Sequence, residues 1–281
     1  METNLDQTNG NLDIAQFHTW LINKEYSVTY IKNVMSYTSR FNSILFNDNI
    51  KKLDSLPHTI SPYVVKSLIL VSKYLGIYPQ FKAKLNQYDI KISKPDSMTA
   101  FLRIMKASDS DIIQYYQKMQ SLKPSQALFA KFLLNSGLRT SEAIHSFNLI
   151  IDLAKQNELN DYYNTDLNCL MHFKYGKLFL RGKKNAYITF ISQEFLRQVA
   201  NSNKVSYASL RKQIVKHKLT LRFNEFRDKF GTHLVNKEIL EADQNLCCGR
   251  ISSGIFVKHY WSPQLAKLGN RILKALTTIE S

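Results

Sequence analysis

The segment PSQALFAKFLLNSG, residues 124–137, states both of its own ends. Pro124 suits the first turn of a helix, where its missing N–H is not needed. Gly137 suits the residue just past the last turn, where the backbone turns left-handed. Between them the apolar residues keep helical spacing. The same grammar recurs along the chain. SPYVVKSLILVSKYLG (61–76) offers Ser61 as a cap, Pro62 in the first turn and Gly76 as the stop. Residues 12–23 and 28–46 place Ile31, Val34, Met35, Phe41, Ile44 and Leu45 at helical spacing. Further helices are predicted from Ser108, a cap with Asp111 three residues on, then after Arg139 and over 149–160. Others follow over 193–201, 206–217, 224–236 and 241–248, around Tyr260, and over 263–277. A chain punctuated in this way is mainly α.

The period changes once. KLFLRGKKNAYITFIS (177–192) holds two β-prone runs, Leu178–Arg181 and Ala186–Ile191, on either side of the polar turn GKKN. This predicts a β-hairpin with Lys183 and Lys184 at its tip. DIKISKPDSM (89–98) is polar, carries Pro95 and breaks both neighbouring patterns. The expected division is a helical domain over 1–92, a linker over 93–107, and an α+β domain over 108–281 with a small antiparallel hairpin.

Composition narrows the partners. The 281 residues are 44% hydrophobic, enough for a packed core, yet the formal charge is +16. Residues 171–237 carry 15 Lys and Arg against 3 Asp and Glu, so the charge is concentrated in the second half. That points to a polyanion, either nucleic acid or an anionic membrane surface. The most apolar run, 63–78, contains Lys66 and Lys73 and is too short to span a bilayer. The polar, acidic start METNLDQTNGNLD is not a secretory signal. Cys169, Cys247 and Cys248 read as free thiols, consistent with a cytoplasmic protein. The seven histidines form no His-x-x-x-His pair, no carboxylate cluster gathers in the basic half, and no Gly-x-x-x-x-Gly-Lys-Ser/Thr occurs. No metal and no nucleotide cofactor is expected.

The remaining chemistry lies in basic residues at the ends of elements. Arg139, in NSGLRTSEAI, opens a helix beside free backbone N–H groups, a suitable phosphate site; alternatively it is a surface arginine paired with Glu142. Lys183 and Lys184 reach a phosphate from the hairpin tip or decorate a solvated turn. In LRFNEFRDKFGTHL (221–234), Phe223, Phe226, Phe230 and Leu234 read as core, while Asn224 and Arg227 share another face. Arg222, Arg227 and Lys229 make that segment basic, either to contact DNA or as the solvated side of an amphipathic helix. Arg250 follows a glycine. Tyr260, in GIFVKHYWSP, packs, stacks on a base or acts as a nucleophile.

Taken in order, Arg139, Lys184 (or Lys183), Asn224-x-x-Arg227, Arg250 and Tyr260 resemble the tyrosine recombinase, or phage integrase, family across the second half of the chain. SGLRTSEAI is similar to its first-arginine motif and FVKHY to its nucleophile segment. NEFRDKFGTHL resembles the family's His-x-x-Arg helix, with Asn224 in place of histidine. Arg250, in CCGR, stands where a later histidine is usual. FKYGKLFLRGKKNAYITF looks like the archaeal branch, including integrases of archaeal viruses and plasmids, and favours Lys184 over Lys183 as the hairpin lysine.

The resemblance implies a helical DNA-clamping core-binding domain over 1–92 and a catalytic domain over 108–281. It implies that Tyr260 attacks a phosphodiester of double-stranded DNA to give a 3′-phosphotyrosyl link. Arg139, Arg227 and Arg250 would clamp the non-bridging oxygens, with Asn224 adding a hydrogen bond. Lys184 would protonate the 5′-oxygen. Lys183, Arg181, Arg222 and Lys229 would contact DNA. Neither metal nor ATP is implied. The implied assembly is a tetramer on two duplexes in the host cytoplasm, at the nucleoid. The C-terminal stripe Leu265, Leu268, Ile272, Leu273 and Leu276 is expected to dock on a neighbouring protomer rather than on its own domain. The other readings are a non-catalytic DNA-binding relative and a type IB topoisomerase-like relaxing enzyme.

Overall fold

The computed structural model describes residues 12–46, 49–57, 60–90, 98, 109–181, 184–219, 223–251 and 263–280. The chain divides into two compact units, Met1–Lys106 and Ala107–Ser281. Apart from Met98, the expected linker at 93–107 lies outside the described residues, as does Ser108.

The first unit is helical: α1 (Ile14–Asn23), α2 (Val28–Phe41), α3 (Ser43–Phe46), a 3-10 turn (Ile50–Leu53), α4 (Ser61–Tyr74) and α5 (Tyr78–Gln87). Asp13 caps α1 by accepting from the Gln16 N–H at 2.9 Å. Helix α4 is the pivot. Val64, Val65 and Leu68 join Ile44, Leu53 and Phe81 in one core, and Leu70 and Val71 join Phe17, Leu21 and Ile31 in another. Ser61 does not cap α4 as expected. Ile60 holds the cap position, and the Ser61 hydroxyl turns to the Leu53 carbonyl. Pro62 already removes one of the orphan N–H groups a cap would satisfy.

The second unit contains α6 (Asp109–Gln120), α7 (Pro124–Ser136), α8 (Thr140–Gln156), β1 (Tyr163–Asn164), β2 (Cys169–Met171) and α9 (Gly176–Phe179). Then come β3 (Leu180–Arg181), β4 (Lys184–Asn185), β5 (Ile188–Phe190), α10 (Gln193–Ala200) and α11 (Tyr207–Lys216). The described elements end with α12 (Asn224–Asn236), α13 (Glu241–Cys247) and α14 (Leu265–Leu276). One continuous core runs through it, with Phe129, Phe132 and Phe147 packed edge to face between α7 and α8. The unit is mainly α with a small antiparallel sheet, as the sequence predicts.

Three details differ from expectation. The region after Arg139 is one helix, α8, because Ala143, Phe147, Ile150, Ile151 and Leu153 form a single buried stripe with no break before Asn157, which ends it at φ +59°. The hairpin is shorter than predicted. Leu178 and Phe179 lie in α9, and only β3 and β4 pair, with Leu180 opposite Asn185 and Arg181 opposite Lys184. Lys184 therefore sits in a strand rather than at the tip. β5 instead joins the antiparallel sheet β1-β2-β5, with Leu170 opposite Thr189. The last difference concerns α14. It packs on α12 and β5 of its own unit, with Leu268, Ile272 and Leu276 buried. His233 Nε2 meets the Ala275 carbonyl at 2.8 Å. The stripe expected to dock on a neighbour is filled from within.

Candidate active site

The site grows from two turns. The first, 137–139, joins α7 to α8. Gly137 has φ +61°, and a methyl at its Cα would overlap the Phe230 ring of α12. A side chain is thus excluded by both conformation and space. The second, 248–250, follows α13. Gly249 has φ +66°, and a methyl there would overlap the Asn185 carbonyl of β4. The turn that carries Arg250 thus lies against the strand that carries Lys184.

Arg227, on α12 one turn before Phe230, ties the two turns together. Its Nη1 donates to the Gly137 carbonyl at 2.7 Å and its Nη2 to the Cys248 carbonyl at 2.6 Å. Each main-chain group precedes another arginine by two residues. Burial is the main influence lowering the Arg227 pKa, and the charges of Arg139 and Arg250 push the same way, against the Cys248 thiol and Glu142. Three guanidinium groups therefore share one electrostatic field.

Arg139 is the N-cap residue of α8. Its backbone N–H donates to Glu142 Oε2 at 3.0 Å and its Nη1 to Glu142 Oε1 at 2.8 Å. Nη1 also lies 3.4 Å from the Asn185 carbonyl. Glu142 is fully buried, and its Oε1 further accepts from Arg181 Nη2 at 3.1 Å. Glu142 is thus no surface partner. It is an interior anion, three residues past Arg139 in the first turn of α8, facing cations from two elements. The i, i+3 spacing in sequence carries the pairing of Arg139 with Glu142, but neither the burial of Glu142 nor its bond to Arg181.

Asn224 is exposed at the start of α12, one turn from Arg227, and Arg250 is exposed at its turn. Lys229 departs from the expected DNA-facing role: it is 8% exposed, because that flank of α12 turns inward beside Phe226 and Phe230. Tyr260, Lys183 and Arg222 lie outside the described residues, and of Lys184 only the backbone is described. The structure thus brings Arg139, Arg227, Arg250 and the Lys184 backbone into one neighbourhood, with Asn224 at its edge.

A second polar cluster is interior. His172 is fully buried, with Nδ1 at 2.7 Å from the Tyr162 hydroxyl and Nε2 at 2.8 Å from Thr189 Oγ1. Tyr162 also donates to Ser146 Oγ at 3.0 Å. Burial pushes the imidazole down to about 3, so it is neutral at ordinary pH. This network braces α8 against the sheet. Among the described residues, no group of three or more His, Cys, Asp or Glu side chains is arranged to hold a metal ion, and no helix is long and apolar enough to cross a membrane.

The sequence matches the family of archaeal phage integrases over residues 104–268, more than half of the chain and including every element of the arginine cluster. No curated protein matches it.

Proposed function

The chain belongs to the archaeal phage integrase family, and from that premise we propose that it is a site-specific DNA recombinase working through a 3′-phosphotyrosyl intermediate. The observation that carries this reading is Arg227 holding the two turns that bear Arg139 and Arg250. A guanidinium has five N–H groups. Arg227 commits two of them to main chain, which leaves three to bind a ligand and fixes its plane. Preorganised donors of this kind stabilise charge that develops on non-bridging phosphoryl oxygens, each contributing roughly 3–4 kcal/mol.

In the proposed reaction the Tyr260 phenolic oxygen bonds to phosphorus as the bond to the 5′-oxygen breaks. The departing oxygen takes a proton from the Lys184 ammonium. A free phenol ionises near pH 10, and the neighbouring cations favour its phenolate. Asn224 donates a hydrogen bond to the phosphoryl group but takes no proton. The energy of the broken ester stays in the phosphotyrosine, so rejoining needs no ATP, and the arginines serve in place of a metal. Lys183 and Arg222 contact the DNA backbone. Double-stranded DNA is the partner, and four protomers on two duplexes act in the cytoplasm of the host cell.

The test is recombination itself. DNA sites selected from a random pool by binding to the protein are placed in pairs on one plasmid and incubated in EDTA without ATP. Recombinant products support the reading. Relaxation of plasmids lacking the site, with no recombinants, would instead make it a topoisomerase-like enzyme. Binding alone would make it a non-catalytic relative.

A further inference from the structure

We propose that Arg181 is a positioning residue that sets the hairpin lysine through Glu142, and not a DNA contact; this rests on the recombinase reading above. The hairpin is only two residues long on each side, so its own ladder holds it weakly. Its position must come from outside anchors, and both strands have one. On β3, Arg181 Nη2 donates to Glu142 Oε1 at 3.1 Å and lies 3.4 Å from Ser141 Oγ. On β4, the Asn185 carbonyl faces Arg139 Nη1 and abuts Gly249.

The register makes the Arg181 anchor specific. Arg181 stands directly opposite Lys184 in the ladder. Fixing Arg181 fixes the Lys184 backbone. The anchoring oxygen, Glu142 Oε1, is the one that accepts from Arg139. A single buried carboxylate oxygen thus references the leaving-group side of the site to the phosphate-clamping side. Glu142 is fully buried while the Arg181 side chain is 40% exposed, so the fixed partner is the acid and the arginine closes onto it.

The step that this anchor serves is proton delivery from Lys184 to the 5′-oxygen as its bond to phosphorus breaks. Replacing that bridging oxygen with sulfur removes the need for the proton, because thiols ionise near pH 8.5 while alcohols ionise far higher. The experiment measures adduct formation by the full chain on oxygen and 5′-bridging-sulfur duplexes of one sequence. It compares wild type, Arg181→Met, Arg181→Lys and Lys184→Ala. On oxygen, Arg181→Met is expected to slow cleavage about 100-fold, the usual contribution of a general acid. On sulfur its rate should return to within a few-fold of wild type, as for Lys184→Ala, which also shows that the variant is folded. Arg181→Lys should recover part of the loss, since it keeps the charge but not the fork.

Equal loss on both substrates would overturn the positioning role, and so would weakened DNA binding with normal cleavage of the bound complex. Absence of an adduct from wild type on either substrate would remove the underlying chemistry, and the proposal with it.

Discussion

Arg227 donates to the carbonyl of Gly137 at 2.7 Å, bridging ninety residues of sequence with one charged hydrogen bond. A second bond from the same fork reaches Cys248 at 2.6 Å. The side chain that the family resemblance implies as a phosphate clamp is therefore also the strut that places the turns of the other two arginines. In the proposed reaction, structural support and phosphate binding therefore fall to one residue.

Arg227→Lys should impair both duties at once. A single ammonium cannot span both carbonyls in the plane of a guanidinium. Each bond from a charged donor contributes about 1.5–3 kcal/mol. We expect a lower melting temperature together with loss of DNA cleavage, and a weaker loss of DNA affinity, read by thermal denaturation and by binding assays on the same preparation.

Gly249→Ala should disturb the site through the hairpin. The left-handed φ alone costs an L-residue about 1–2 kcal/mol. The added methyl also overlaps the Asn185 carbonyl, so β4 must shift. Gly76→Ala supplies the control, since φ there is +74° but nothing lies within 4 Å of the added methyl. Both variants should lose stability, but only Gly249→Ala should slow cleavage of bound DNA.

Glu142→Gln removes the interior anion shared by Arg139 and Arg181. Breaking a buried pair by neutralising one partner costs about 3–5 kcal/mol, and here roughly 2–3 because both guanidinium groups reach solvent. A drop in denaturation midpoint of that size, accompanied by slower cleavage, is expected. An unchanged midpoint would show that the acid does not hold the 137–139 turn and the hairpin together.

The interior histidine predicts a pH dependence. The pKa of His172 is lowered to about 3 in the folded protein by burial, against an ordinary value of 6.5. The unfolded chain therefore binds the proton first. Stability is complete above pH 6.5 and falls as pH drops toward 3, by at most about 1.4 kcal/mol per unit. Denaturation of wild type between pH 7 and 4 should show this slope, and His172→Gln should flatten it while lowering stability at pH 7.

How much of this was legible in sequence depended on range. Helix ends written by Pro124 and Gly137 were readable because the signals are local. So was the buried face of Phe226, Phe230 and Leu234. The strands β1 and β2 were not, because two or three residues carry no period, and Cys169–Met171 is buried on both sides. The sharing of Glu142 by Arg139 and Arg181 was hidden for another reason. It depends on a fold that brings residues about forty positions apart together, and no spacing rule encodes that. Lys229 shows the converse. A basic residue on an amphipathic helix suggests solvent, yet packing around α12 buries it.

The proposed recombination requires the phenolic oxygen of Tyr260 to attack phosphorus held by the arginine cluster. Its most direct measurement is covalent capture: nicked duplexes of the selected site, incubated with the full chain in EDTA, then digested with protease and analysed by mass spectrometry. A nucleotide-linked peptide containing Tyr260 is expected, and it should be absent from Tyr260→Phe. A linkage at any other residue, or tight binding with no covalent product, would contradict it.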